Sequence, residues 1–188
     1  MSEKLDRRKK YTRMVLKDSL ISLLKQKQIS AITVKELCQV ADVNRSTFYA
    51  HFTDPYDLLH KIEEEFIADM YETLCQYNFH KEEESLQMTV KILEYVATKH
   101  ELCHIFLSGQ SGTAFQQKVM EITEQFTMKN WMEVNVVDDK ASQYISLLVV
   151  SGCIHVIKSW LDNGMDKSTT EMAELINQFT NKGLASFR

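Results

Sequence analysis

The chain is short of the residues that break regular structure: among its 188 residues there are 5 glycines and a single proline, Pro55. That scarcity excludes a turn-rich β-sandwich and a low-complexity disordered chain, because both depend on residues that end helices or avoid a core. Cysteine is also sparse. Cys38, Cys75, Cys103 and Cys153 lie far apart and form no C-x-x-C pair. This excludes a zinc ribbon or a disulfide framework and leaves four small apolar side chains in a reducing compartment. The longest purely apolar run, residues 147–150, is too short to span a bilayer, and the charged start MSEKLDRRKKYTR lacks the apolar stretch of a signal peptide. A cytoplasmic protein with no membrane partner is expected.

What is present is 44% hydrophobic and 26% charged sequence, enough for a mostly helical globule with a real core, as one domain or a small domain fused to a larger one. Charge is uneven. Residues 1–60 hold 11 Lys or Arg against 7 acids, a balance of +4, which leaves −8 on the remainder. A basic end on an acidic body is the electrostatic footprint of a modest nucleic-acid reader joined to a non-binding domain.

Leu16, Leu20, Leu23 and Leu24 recur at spacings of three and four, predicting an amphipathic helix over residues 8–27. Thr33 followed by Glu36 is a capping box that starts a short helix at Val34, with the hydroxyl capping the first turn and the carboxylate reaching back. Asp42 tolerates a left-handed backbone and Asn44 caps a third helix from Arg45 to about His51. Asp54 and Pro55 open a fourth helix of roughly 23 residues. The acidic, glycine-free stretch 80–84 is the candidate hinge. Further helices are expected at 85–99, 101–108, 113–134, 139–162 and 168–186, with breaks at Gly109 and Gly112, at Asp138-Asp139 and at Asn163-Gly164.

Two short helices joined by a four-residue turn beside a basic helix form a helix-turn-helix. Val34, Leu37, Cys38, Ala41, Val43 and Phe48 fit the inner positions that hold the second helix rigid. Arg45, Ser46, Thr47, Tyr49, Ala50 and His51 are left for its outer face.

Over residues 12–60 the sequence resembles the TetR family of bacterial transcription regulators. The pattern T-V-x-x-I-A-x-x-A-G-V-S-x-x-T-F/L-Y-x-H-F stands here as Thr33-Val34-Lys35-Glu36-Leu37-Cys38-Gln39-Val40-Ala41-Asp42-Val43-Asn44-Arg45-Ser46-Thr47-Phe48-Tyr49-Ala50-His51-Phe52. The chain departs from it at Gln28 and Asp42, where glycine is usual, and at Pro55, where a phosphate-touching lysine is common. The resemblance implies an all-α fold of about nine helices. Residues 1–60 would form the DNA-binding domain, and residues 61–188 a helical domain for effector binding and dimerisation. It also implies that Thr33, Thr47, Tyr49 and His51 touch backbone phosphates, that Arg45 and Lys35 reach base edges, and that Ser46 lies on the same DNA-facing surface. The implied partner is a palindromic DNA duplex read by a homodimer.

In the acidic body, Tyr144, Leu147, Leu148, Ser151, Gly152, His155, Ile157, Trp160 and Leu161 cover more than one face, so their helix should be buried on two sides. Together with Leu175 and Phe179 of the last helix, Leu148, Ser151, Gly152, His155 and Trp160 resemble the family's four-helix dimer interface. Phe66, Met70, Met88, Ile92 and Tyr95, with Phe106, Phe115, Met120, Phe126 and Trp131, form an adaptable apolar set. In this family such a region commonly encloses a pocket for a small apolar effector. The set is equally an ordinary core.

His100, Cys103 and His104 share one helical turn, but no acidic or further cysteine partner stands nearby, and neither a metal nor a cofactor is expected. No Ser-His-Asp set, glycine-rich phosphate loop or paired-carboxylate motif argues for an enzyme. The expected function is a sequence-specific regulator, a repressor relieved by a small molecule. The alternative is a TetR-like co-activator or adaptor controlled by a protein partner.

Overall fold

The computed structural model describes residues 2–76, 82–107, 115, 117–122 and 139–185. Among these residues all regular structure is helical and there is no strand. The elements are α1 (Ser2–Leu24), a 3-10 turn (Ile29–Ala31), α2 (Val34–Val40), α3 (Arg45–Tyr49), α4 (Pro55–Leu74), α5 (Glu82–Thr98) and α6 (His100–Leu107). A helical stretch at 117–122, α7, precedes α8 (Asp139–Asp162) and α9 (Thr169–Ala185).

Local capping sets these boundaries. The Thr33 hydroxyl accepts from the Glu36 N–H at 3.2 Å, and the Asn44 side chain accepts from the Ser46 N–H at 3.2 Å. Asp54 accepts from the Asp57 N–H at 2.9 Å, with Pro55 in the first turn, where its missing N–H costs nothing. Ser168 and Glu171 form a complete capping box for α9: the Glu171 N–H donates to the Ser168 hydroxyl at 3.2 Å, and the Ser168 N–H donates to the Glu171 carboxylate at 2.8 Å. The box expected at Thr33 is only half made, because Lys27 approaches from outside the turn and takes the Glu36 carboxylate at 2.5 Å. Asp42 adopts φ 51°, so the turn between α2 and α3 keeps its left-handed residue without glycine.

α1 begins at Ser2 and includes Arg7, Arg8, Lys9 and Lys10 as exposed helical residues. Its buried leucines, Leu16, Leu20, Leu23 and Leu24, lie in the core it shares with α2 and α4. α4 runs unbroken through residue 60, so the N-terminal unit and the body share one helix. In the body α5 lies between α4 and α9, and α6 packs on α8. The break at Gly109 and Gly112, most of the helix expected at 113–134, residues 80 and 81 of the expected hinge and the site residues Phe126 and Trp131 lie outside the described residues, whereas residues 82–84 of that hinge are helical, in the first turn of α5.

α8 is long and apolar enough, by length and composition, to cross a membrane, although no apolar run within it exceeds four residues. Only 22% of its apolar stretch is buried in the protomer. Ser142, Ser146, Val150 and Trp160 face inward, while Tyr144, Leu147 and Leu148 are exposed on the opposite side. The protomer therefore covers one of the two apolar faces.

Candidate nucleic-acid interface and effector cavity

Phe48 is the anchor of α3. It is 0% exposed and packs edge-on against Tyr49, with ring centroids 5.5 Å apart, and against Phe52 at 5.9 Å. With this residue buried and Asn44 capping the helix start, the outward positions have a rigid base. Lys35, Arg45, Ser46 and Ala50 are exposed, Tyr49 is 58% exposed, and Thr47 and His51 are half-buried. Thr33 is exposed; its oxygen accepts the capping bond, which leaves its O–H proton available to donate to a phosphate.

α1 lends charge to this surface. Burial first, and then the positive charges of Arg13 and Lys9, hold the His51 imidazole below the ordinary histidine range, so it is neutral at pH 7 and donates from a single ring nitrogen. On the inner side, burial pushes the Cys38 thiol up, while the positive charge of Arg45 opposes that shift. The expected DNA-facing residues are thus brought together on α2, α3 and the turns beside them. Arg7, Arg8, Lys9 and Lys10 are helical in α1, and the charge of Lys9 reaches His51.

The body holds a cavity of about 140 Å³. Phe66, Met70, Met88 and Ile92 line it, as the sequence pattern suggested. Tyr95 and Phe106 do not, and both are corrections. Phe106 is fully buried against Phe66 and Phe115, with ring centroids at 5.5 and 4.4 Å, so it supports the wall from behind. The Tyr95 hydroxyl turns to the Asp69 carboxylate at 3.2 Å, and burial together with that carboxylate pushes its pKa up. Phe115 of the same set also lines the cavity, and the residues missed in the pattern include Leu74, Thr89, Val96, Ile157 and Ile176 and two thiols, Cys103 and Cys153. Their apolar spacing is the one weak signal in the sequence, and it cannot separate cavity wall from core.

Glu63 lies one turn before Phe66 on α4. Its Oε1 is buried without a hydrogen-bond partner among the described residues, and burial raises its pKa toward the neutral acid. The residues once weighed as a metal cluster diverge. His104 faces Asp162 at 3.3 Å, His100 faces the Ala97 carbonyl at 3.3 Å, and Cys103 lines the cavity. Among the described residues no group of three His, Cys, Asp or Glu is placed to hold a metal ion.

On the outer side of α8 and α9, Leu148 is 75% exposed and Phe179 81%, with Gly152, His155 and Leu175 exposed beside them and Ser151 half-buried. Trp160 is the correction here. It is 3% exposed and its indole N–H donates to the Lys167 carbonyl at 2.9 Å, so it closes the α8–α9 turn from within the protomer's own core.

A family model described as a transcriptional regulator C-terminal region, of TetR type, matches residues 83–182. No curated protein matches the sequence significantly. Among solved structures, the chain is similar to a TetR transcriptional regulator from Streptococcus agalactiae 2603V, with a TM-score of 0.73 and 20% identity over 96% of this chain and 99% of that one. It is also similar to NalD of Pseudomonas aeruginosa, the secondary repressor of the MexAB-OprM multidrug efflux pump, with a TM-score of 0.69 and 16% identity over 93% and 97%. A third likeness is to the regulator FadR of Bacillus subtilis in complex with stearoyl-CoA, with a TM-score of 0.66 and 14% identity over 89% and 96%. At these identities the structural likenesses show the fold.

Proposed function

Because this chain belongs to the TetR family of transcriptional regulators, we propose that it is a cytoplasmic homodimer that binds a palindromic operator through α2 and α3, represses transcription there, and is released when a small apolar effector fills the cavity. The observation that carries this reading is the outward set on α3, with Arg45 and Tyr49 exposed above a fully buried Phe48. Arg45 and Lys35 read base edges, and Thr33, Ser46, Thr47, Tyr49 and His51 hold the phosphates. Residues 1–60 act as the reading unit and 61–188 as the sensing and pairing unit, with α4 belonging to both. The dimer forms through Leu148, Ser151, Gly152, His155, Leu175 and Phe179, which covers the second apolar face of α8 and removes any need for a membrane. The repressor NalD and the ligand-bound FadR support the regulatory half of the reading by analogy.

Selection of bound duplexes from a random pool, followed by salt titration on the selected site, tests the DNA half. If each protomer neutralises about four phosphates, log affinity should fall with log salt at a slope of about −7. Arg45→Ala should cost about 1–3 kcal/mol and relax the selected sequence at one position of each half-site, whereas Thr47→Ala should weaken all duplexes alike. Equal losses for Arg45→Ala on selected and random DNA would remove that residue from base reading.

The release mechanism follows from which helices border the cavity. Phe66, Met70 and Leu74 of α4 line it, while the start of α4 at Asp54 and Pro55 follows directly from the α3 turn. α6 adds a second link: Cys103 and Leu107 line the cavity, and Glu101 pairs with Lys25 just beyond the end of α1 at 2.6 Å. A ligand that shifts α4 and α6 changes the spacing of the two α3 helices, which must match one DNA turn of about 34–36 Å. By linkage the ligand must bind the DNA-free form more tightly by the same factor, a coupling of about 1–3 kcal/mol. Met70→Trp, which inserts a larger ring into the cavity, should mimic the ligand. The expected protein is folded and dimeric but binds operator about tenfold or more weakly. A Met70→Trp variant with unchanged operator affinity and an intact effector response would sink the lever.

A further inference from the structure

We propose that the cavity takes an uncharged apolar molecule of about six to eight heavy atoms, aromatic or compactly branched, and rejects anions and long acyl chains. This rests on the effector reading above and names the class of that effector.

Size is the first argument. The cavity is about 140 Å³. An engineered protein cavity of about 150 Å³ lined by Leu, Ile and Phe stays dry and admits benzene, so this volume matches one small ring or its alkyl equivalent.

The wall chemistry is the second. Among the described residues no Lys, Arg, His, Asp or Glu lines the cavity. Among the described residues Thr89 supplies the only hydroxyl on the wall, and it is engaged twice, donating to the Ser85 carbonyl at 3.0 Å and accepting from the Asn177 amide at 2.9 Å. The two thiols stay protonated near neutral pH. Burial pushes Cys103 up to about 12, and burial also raises Cys153 against an opposing hydrogen bond from Thr180. They act as small polarizable apolar groups, not as nucleophiles, because the thiolate is the reactive form. A carboxylate or phosphate entering here would lose its water and meet, among the described residues, neither a counter-ion nor a free strong donor. A trapped water would also lack the two to four polar partners it needs. Phe66 and Phe115 present ring surface, and Met70 and Met88 present flexible thioethers that adapt to a flat guest.

The test uses the full-length dimer carrying methionine labelled at its methyl carbon, with toluene, benzoate and octanoate as probes. Toluene is expected to shift the Met70 and Met88 methyl resonances and to raise the thermal midpoint. Benzoate, with nearly the same shape plus a charge, should bind about 100-fold more weakly or worse, and octanoate should neither shift those methyls nor compete with toluene. Ile92→Phe on α5 and Ile157→Phe on α8 fill the cavity from two separate helices, and each should weaken toluene binding about tenfold or more while unfolding remains cooperative. Either variant suffices if the other fails to fold. The proposal is overturned if benzoate or octanoate moves the Met70 and Met88 methyls as readily as toluene, or if toluene leaves both unmoved in the folded protein. Operator affinity is measured in parallel. Toluene that moves the methyls without changing operator affinity supports the ligand class and overturns the effector reading, whereas weakened operator binding supports both.

Discussion

The Gly152→Arg protein is expected to fold as a protomer but sediment as a monomer, and to lose tight binding to a two-half-site operator. A Cβ built at Gly152 meets no atom within 4 Å in the protomer, so substitution there strains nothing internal. Glycine in a helix interior lowers helix stability relative to alanine, and Gly152→Ala should stabilise the protomer by about 0.5–1 kcal/mol. The arginine acts only where a partner is seated. Leu148 and Phe179 are 75% and 81% exposed, and a guanidinium seated among such side chains at a closed interface would lose its water. Two-fold symmetry inserts the charge twice. At about 3 kcal/mol for each unpaired buried charge, the dimer dissociation constant should rise on the order of 10⁴-fold. Sedimentation across a concentration series reads this directly, with circular dichroism as the check on folding. A Gly152→Arg protein that remains a dimer would move the interface off α8 and α9.

Phe48→Ala should be the most damaging single truncation in the DNA-reading unit. Phe48 is fully buried in the core that also includes Leu16, Leu37 and Phe52, and it supports α3, which is only five residues long. A helix of that length has no stability of its own and holds its shape through packing. Removing the ring should cost about 3–5 kcal/mol, whereas Phe48→Leu, which keeps most of the volume, should cost less. Urea melts give the difference. Operator binding by Phe48→Ala should fall for all sequences together, since the damage is to the platform and not to one reader. An unchanged urea midpoint would mean that α3 is held by contacts other than this ring.

The legible part of this protein is the part governed by neighbours within about four residues. Capping at Thr33, Asn44, Asp54 and Ser168 places helix starts through a side-chain oxygen and a nearby N–H, so those starts could be read directly from the sequence. The left-handed turn at Asp42 follows from the same local chemistry. The inward burial of Phe48, Leu37 and Cys38 follows from periodicity in helices too short to offer a second choice of face. Matters that depend on a distant helix were not legible. Whether Lys27 or the Thr33 backbone takes the Glu36 carboxylate depends on where the end of α1 lies. Trp160, Tyr95 and Phe106 have the composition expected of an interface or a pocket wall, yet an indole bond across the α8–α9 turn, an Asp69 on α4 and a ring at Phe115 draw them elsewhere. α8 is apolar on two faces, and its sequence alone cannot say which face the protomer keeps. The sequence by itself therefore determined an all-helical chain and the helix-turn-helix at residues 33–52, because both arise from short-range caps and spacing. Only the tertiary structure decided which apolar residues surround empty space, which fill it, and which are left uncovered, because packing is settled between helices brought together by the whole fold.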